Sequence, residues 1–328
     1  MGFDELNQDQ VRENIMIDGT YMTSKVNGKR YIFGRLETVS LEELRKTVDL
    51  NQDSKHKLIV SEVIADVKKL HQLPENAGAL FQVASQFNLL EMIGPSITPE
   101  QGVGIYENDY TQGPACAISC GAGTIYRNYF AEVNSKIGQD SSNQINTIEE
   151  LNILLNNTDS ALWKMINGYA LINNTESALK IKDHLSKLTF EEYDLIKSKI
   201  KIGIQWNTEV TLGESGHLVS QVFCSALPVR YSRISQNMSE EFAQLILASA
   251  YESTFLAAIK NYSITGNNRL FLTLLGGNAF GNKISWITDA ILDNLKKFKS
   301  FPLNVKIVSH SMSNSEVSEI IKRYHDEP

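Results

Sequence analysis

An apolar run at 270–275 (LFLTLL) stops at Gly276-Gly277-Asn278-Ala279-Phe280-Gly281-Asn282, and apolar residues then return at Ile284, Ile287, Ile291 and Leu295. A continuous apolar run followed by three-to-four spacing predicts a buried strand, a tight turn and an amphipathic helix. Asn282 is placed to cap that helix, its side-chain oxygen accepting from a first-turn amide. A glycine-rich turn between a buried strand and a helix start suits phosphate, because the backbone can approach closely and its amides are free.

The same patterning extends along the chain. Residues 1–35 read as a leader with short strands around the turn pair Asn27-Gly28. A short helix over 41–48 opens on a capping box, Ser40 with Glu43. Strands are predicted at 58–67 and 79–84, with a polar connection between them. After the loop GVGIYENDYTQG, Pro114 begins a helix of small residues that can lie close to a sheet. Over 131–200 the segments INTIEELNILLNN, SALWKMINGYALI and TFEEYDLIKSKI read as amphipathic helices, a helical insertion. Strands follow at 201–210 and 218–229, a long Ala- and Leu-rich helix at 239–260, a strand at 303–309 and a final helix at 313–324. Alternating strands and helices predict an α/β fold, a three-layer α/β/α mixed sheet whose ligand sites lie at strand carboxyl ends. The expected organisation is a leader at 1–35 and one α/β domain at 36–328 carrying the insertion.

Composition narrows the function classes. The chain has 328 residues, 42% hydrophobic and 21% charged, with a net charge of −7. No Lys/Arg-rich run stands out, which argues against nucleic acid as a partner. No apolar run approaches the ~20 residues of a membrane helix, so no membrane partner is expected. The polar, acidic start is unlike a signal peptide. Three cysteines, Cys116, Cys120 and Cys224, point to reduced thiols in a cytoplasmic setting. Cys116 and Cys120 lack neighbouring histidines, so no metal and no cofactor are expected, and both read as core residues.

Three stretches carry the chemistry: Ile64-Ala65-Asp66-Val67, Phe81 through Asn88 (FQVASQFN), and the Gly276 turn. Their order resembles the macrodomain family. FQVASQFNLLEM, DYTQGPACA, VSQVFCSALPV and LLGGNAFGN are similar in particular to the MavL-type bacterial effector macrodomains. The resemblance covers roughly 60–130 and 200–310. It implies a macrodomain-like fold that binds ADP-ribose and removes it from a modified protein, arginine-linked on ubiquitin or a similar acceptor. It further implies that Asp66, with Val67 beside it, accepts from the adenine amino group, and that Ser85 and Asn88 lie near the distal ribose. The diphosphate would lie against Gly276, Gly277, Asn278, Ala279, Gly281 and Asn282, with Phe280 packing on the ribose. Two features depart from the family pattern: GVGIYENDYTQGPA replaces a triple-glycine loop, and Ala65 stands where glycine is common.

Hydrolysis at an anomeric carbon needs a carboxylate to activate water. Asp109, next to the helix start, is the first candidate and Glu107 the second, although acids before helices also serve as caps. Glu209 reads as a structural strand acid. Two alternatives stay open: a non-catalytic ADP-ribose reader, and an interaction protein whose insertion is the working surface. Action in the cytosol of another cell, as an effector, is part of the same expectation.

Overall fold

The computed structural model describes residues 1–49 and 57–326. Seven strands form its middle layer: β1 (Arg35–Ser40), β2 (Ile59–Ile64), β3 (Leu80–Ala84), β4 (Lys201–Glu209), β5 (Leu218–Cys224), β6 (Arg269–Leu272) and β7 (Asn304–Ser309). Their spatial order is β1-β4-β5-β3-β6-β7-β2. β1 and β4 pair antiparallel, as do β4 and β5, whereas β5, β3, β6, β7 and β2 all run parallel. The parallel block therefore presents its carboxyl ends along one edge of the sheet.

Both faces are covered, because the strands alternate side chains between two cores. Leu270 and Leu272 of β6 enter the larger core and Phe271 the smaller. On the larger side lie α1 (Leu41–Thr47), α5 (Thr175–Ser186), α6 (Phe190–Ser198), α7 (Gln236–Thr265), α8 (Ile284–Lys297) and α9 (Ser315–Asp326). On the other side lie α2 (Val67–Gln72) and α3 (Gln112–Ser119), flanked by α4 (Gly121–Tyr129). This is the three-layer α/β/α mixed sheet expected from the order of elements.

Residues of α7 are buried around its whole circumference, as befits a core helix. By length and composition α7 could cross a bilayer, which no apolar run was expected to do, yet 83% of its apolar window is buried inside the protein. Its carboxylate Glu252 is 3% exposed and is met by Arg45 Nε at 2.7 Å, Lys297 Nζ at 2.6 Å and Lys197 Nζ at 3.0 Å. Arg45 also binds Asp194 at 2.6 Å, so one ionic network joins α1, α6, α7 and α8.

Four local expectations change. Residues 163–172 form a hairpin, Trp163–Ile166 with Tyr169–Ile172, and not a helix. Asn167 and Gly168 both have positive φ, the conformation of a tight hairpin turn, and this local chemistry overrides the helical spacing. The insertion is thus hairpin plus helices, with α5 and α6 packed on the larger core. The polar connection after β2 is the helix α2, because Asp66 caps it by accepting from Lys68 N–H. The long strand expected at 218–229 ends at Cys224 and continues as a loop into a short helix, Val229–Ser232. Asn282 does not cap α8: the flanking residue is Lys283, which makes no side-chain cap bond.

Candidate functional site

A cavity of about 760 Å³ opens at the carboxyl edge of the parallel block. Four segments wall it: 65–68 after β2, 84–93 after β3, 107–118 around the start of α3, and 273–280 after β6. Ala226, Tyr231, Tyr169, Val308 and His310 complete it.

The wall at α3 is set by close packing. A Cβ on Gly113 would fall 2.0 Å from the Ala84 carbonyl oxygen and 3.2 Å from Glu91 Cγ, so only glycine lets the helix start rest on the end of β3. The side chain of Gln112 extends the sheet, accepting Ala84 N–H and donating to the Gln82 carbonyl, both at 2.8 Å. Before the helix, Asp109 accepts Thr111 N–H at 2.8 Å, a cap-like turn. Asp109 is partly exposed and Glu107 exposed, and both line the cavity. Burial pushes the Tyr169 hydroxyl up, with smaller contributions from Tyr231 and then Asp109, which sets Asp109 near this ring.

The glycine-rich turn forms another wall. Gly276 has φ +75°, and a Cβ there would meet Ala226 Cβ at 2.4 Å. Asn282 is buried and holds the turn shut, donating Nδ2 to the carbonyls of Leu227 at 2.9 Å and Gly276 at 3.2 Å. Among the described residues, the amides of Asn278, Ala279 and Phe280 make no hydrogen bond within the chain. Free amides at such a turn make an anion-binding concavity. Phe280 packs with Tyr169 and Tyr231 at centroid separations of 5.5 and 5.9 Å, so the insertion hairpin contributes a ring to the cavity.

Of the expected site residues, Asp66, Val67, Ser85, Glu107, Asp109 and 276–280 share this one cavity. Three do not line it. Asn88 is wholly buried, its Oδ1 accepting Leu90 N–H at 3.1 Å and its Nδ2 donating to Gln144 at 2.9 Å. It braces the loop after β3, because a side-chain amide so engaged is no longer free for a ligand. Gly281 and Asn282 are buried behind the turn. Glu209 accepts Ile32 N–H at 2.8 Å, a structural role.

Sequence reading missed Glu91. The chain reverses at Leu89, which holds φ +64°, and Arg127 Nε donates to the Leu89 carbonyl at 3.0 Å. This reversal brings Glu91 under the cavity, 1% exposed, with Arg127 Nη2 3.3 Å from its carboxylate. Burial pushes the carboxyl up to about 7 even though Arg127 pulls it down. The available signal was a lone acid and a lone arginine, each in an apolar run, since buried charges require partners.

All three cysteines are buried and burial raises each thiol, Cys224 to about 12, which disfavours the thiolate a nucleophile needs. Among the described residues, no group of three or more His, Cys, Asp or Glu side chains is gathered as a metal site.

No protein-family model matches the chain, and no curated protein matches it. Among solved structures, the chain is similar to a poly(ADP-ribose) glycohydrolase from Deinococcus radiodurans in complex with ADP-ribose. Identity is 10%, coverage 89% of this chain and 94% of that one, and the TM-score 0.49. It is also similar to the poly(ADP-ribose) glycohydrolase from Thermomonospora curvata, at 11% identity, 96% and 95% coverage and a TM-score of 0.46. Likeness at this identity and TM-score carries no argument about chemistry, which rests on the residues themselves.

Proposed function

We propose that the cavity binds ADP-ribose and that the chain hydrolyses the glycosidic bond joining ADP-ribose to a modified protein. The observation that carries this reading is the pairing, in one cavity, of three free amides at 278–280 with the carboxylates of Asp66, Glu107 and Asp109. The amides suit a diphosphate and the carboxylates suit attack of water at an anomeric carbon. In this reading Asp66 accepts from the adenine amino group and Phe280 packs on a ribose. Ser85 lies near the distal ribose, and Asp109, assisted by Glu107, activates water.

The acceptor proposed is an arginine-linked protein such as ubiquitin, supported by the sequence resemblance. Action in a cytosol, its own or that of a recipient cell, is supported by the three unpaired thiols. The test is calorimetric titration with ADP-ribose, then incubation with arginine-ADP-ribosylated ubiquitin. Binding followed by release of ADP-ribose is expected. Binding without release favours a reader, a reading to which the Asp109–Thr111 cap bond lends some support. Absence of binding removes the proposal.

A further inference from the structure

The stretch that departs from the family pattern begins Gly102-Val103-Gly104, and both glycines face the leader. Gly102 has φ +84°, and a Cβ there would fall 2.5 Å from the carboxylate carbon of Glu5. A Cβ on Gly104 would fall 3.0 Å from Glu5 Oε2. The two positions leave room for a carboxylate, and Glu5 fills it. Its Oε1 accepts Val103 N–H at 3.0 Å and its Oε2 accepts Gly104 N–H at 2.8 Å, while Tyr129 of α4 donates its hydroxyl to Oε1. Among the described residues neither amide has another acceptor. Hydrogen bonds to an ionised carboxylate are stronger than neutral ones, so this is a firm clamp.

Glu5 is itself held in place. Gln10 brackets it, Oε1 accepting Leu6 N–H at 3.3 Å and Nε2 donating to the Asp4 carbonyl at 2.9 Å. Beyond it the leader folds as a helix, Gln8–Asn14, and a sheet of three short strands, Ile15–Asp18, Tyr21–Ser24 and Arg30–Ile32. Val11, Ile15, Met22 and Phe33 share one buried cluster with Ala122 and Tyr129 of α4. The leader therefore rests on the α/β domain by its own apolar face.

What Glu5 clamps leads straight into the cavity. Val103 and Gly104 open the turn Gly104–Asn108. Within it the Tyr106 hydroxyl accepts Glu91 N–H at 3.1 Å, and the Tyr106 carbonyl accepts Asp109 N–H at 3.2 Å. Glu107, Asp109 and Tyr110 then line the cavity. The turn is pinned by the leader where it starts and by the loop after β3 at its middle. We propose that Glu5 is a positioning residue for the hydrolysis and that the leader is a working part of the site, an assignment that rests on the ADP-ribose hydrolase reading above. Glu5 fixes the backbone that enters the turn, and the turn sets Asp109 and Glu107 against the substrate. Misplacement of a reacting group by about 1 Å can cost roughly 10²-fold in rate, so a clamp outside the cavity has leverage on turnover.

The test compares Glu5→Ala and Glu5→Gln with wild type in the full chain. Glu5→Ala removes both accepting oxygens, whereas Glu5→Gln keeps the reach and one of them. Measured are thermal unfolding, ADP-ribose titration by calorimetry, and kcat on arginine-ADP-ribosylated ubiquitin well below the unfolding transition. Hydrogen exchange is followed over 105–111, which excludes the two amides that Glu5 itself holds. Glu5→Ala is expected to lose roughly 10–100-fold in kcat, to bind ADP-ribose within about threefold of wild type, and to exchange faster over 105–111. Glu5→Gln should fall between the two in both kcat and exchange. A Glu5→Ala variant with a lowered unfolding temperature but unchanged kcat has lost only structure, and that result overturns the assignment. Unchanged exchange over 105–111, or ADP-ribose affinity lost in step with kcat, overturns it equally. If Glu5→Ala fails to fold, Glu5→Gln decides by the same readouts. Wild type that binds ADP-ribose without turnover overturns the hydrolase reading instead, and the exchange over 105–111 still decides whether Glu5 holds the turn.

Discussion

Gln112 and Ala84 share a hydrogen bond of 2.8 Å in which the first side chain of α3 takes the place of a strand neighbour at the end of β3. The same amide group reaches the Gln82 carbonyl at 2.8 Å, so Gln112 fastens the helix that carries one cavity wall to the strand that carries another. Closeness of the two elements depends on Gly113, whose position tolerates no Cβ.

Gln112→Ala leaves the Ala84 N–H and Gln82 carbonyl without these partners, and such unmade bonds cost about 1–3 kcal/mol. A lower denaturation midpoint with unchanged slope is expected, together with weaker ADP-ribose binding. Wild-type affinity in the variant would show that the fastening does not shape the cavity.

Asp109→Asn separates charge from structure. The amide oxygen of asparagine can still accept Thr111 N–H, so the turn survives while the carboxylate is gone. The expected result is a kcat reduced roughly 100-fold or more with ADP-ribose affinity retained. Unchanged turnover would leave Asp109 as a cap and transfer its role to Glu107.

Two adjacent glycines should respond differently. Gly276→Ala places a Cβ 2.4 Å from Ala226 Cβ at φ +75°, and loss of stability and of ADP-ribose binding is expected. Gly277→Ala has no positive φ, and its Cβ meets the end of the Ile287 side chain at 3.2 Å, which can give way. Its effect should stay below about 1 kcal/mol. Thermal unfolding and calorimetry on the pair check the contrast.

Stability should fall on both sides of the acid range, for opposite reasons. Burial raises Glu252, but hydrogen bonds from Arg45 and Lys297 and the charges of Lys197 and Lys297 outweigh it and hold the carboxyl at about 2. Its folded value lies below the ordinary 4.5, so its contribution is present above pH 4.5 and lost as pH falls toward 2. The amount at stake is roughly 3 kcal/mol. Glu91 is raised instead, so its contribution is full below pH 4.5 and lost as pH rises through about 7. Urea midpoints across pH should lose the acid limb in Glu252→Gln and the neutral limb in Glu91→Gln.

Much of the fold was legible because it is written locally. The apolar run before Gly276 and the three-to-four spacing after Ile284 specify a strand and a helix wherever they sit, and β6 and α8 follow. The turn between them announces itself through glycines that the backbone requires, at φ +75° for Gly276. The capping box at Ser40 and Glu43 forms as its spacing dictates. Where two local signals competed, at 163–172, the Asn167-Gly168 turn prevailed because positive φ at both positions is compatible with a hairpin and not with a helix.

The sequence alone determined the class of fold, the glycine-rich turn and the candidacy of Asp109, since each is written in local pattern, while Asp66 became a candidate only through the family resemblance. Tertiary structure decided which polar groups face the cavity and which are used up inside the protein. Asn88 was withdrawn by Gln144, 56 residues distant. Tyr169 was brought in by the insertion hairpin. Glu91 met Arg127 across 36 residues, and that burial and charge, which no local pattern encodes, set its proton affinity. Hydrogen-bond satisfaction and desolvation are properties of a completed fold, and they turn a list of polar residues into a site.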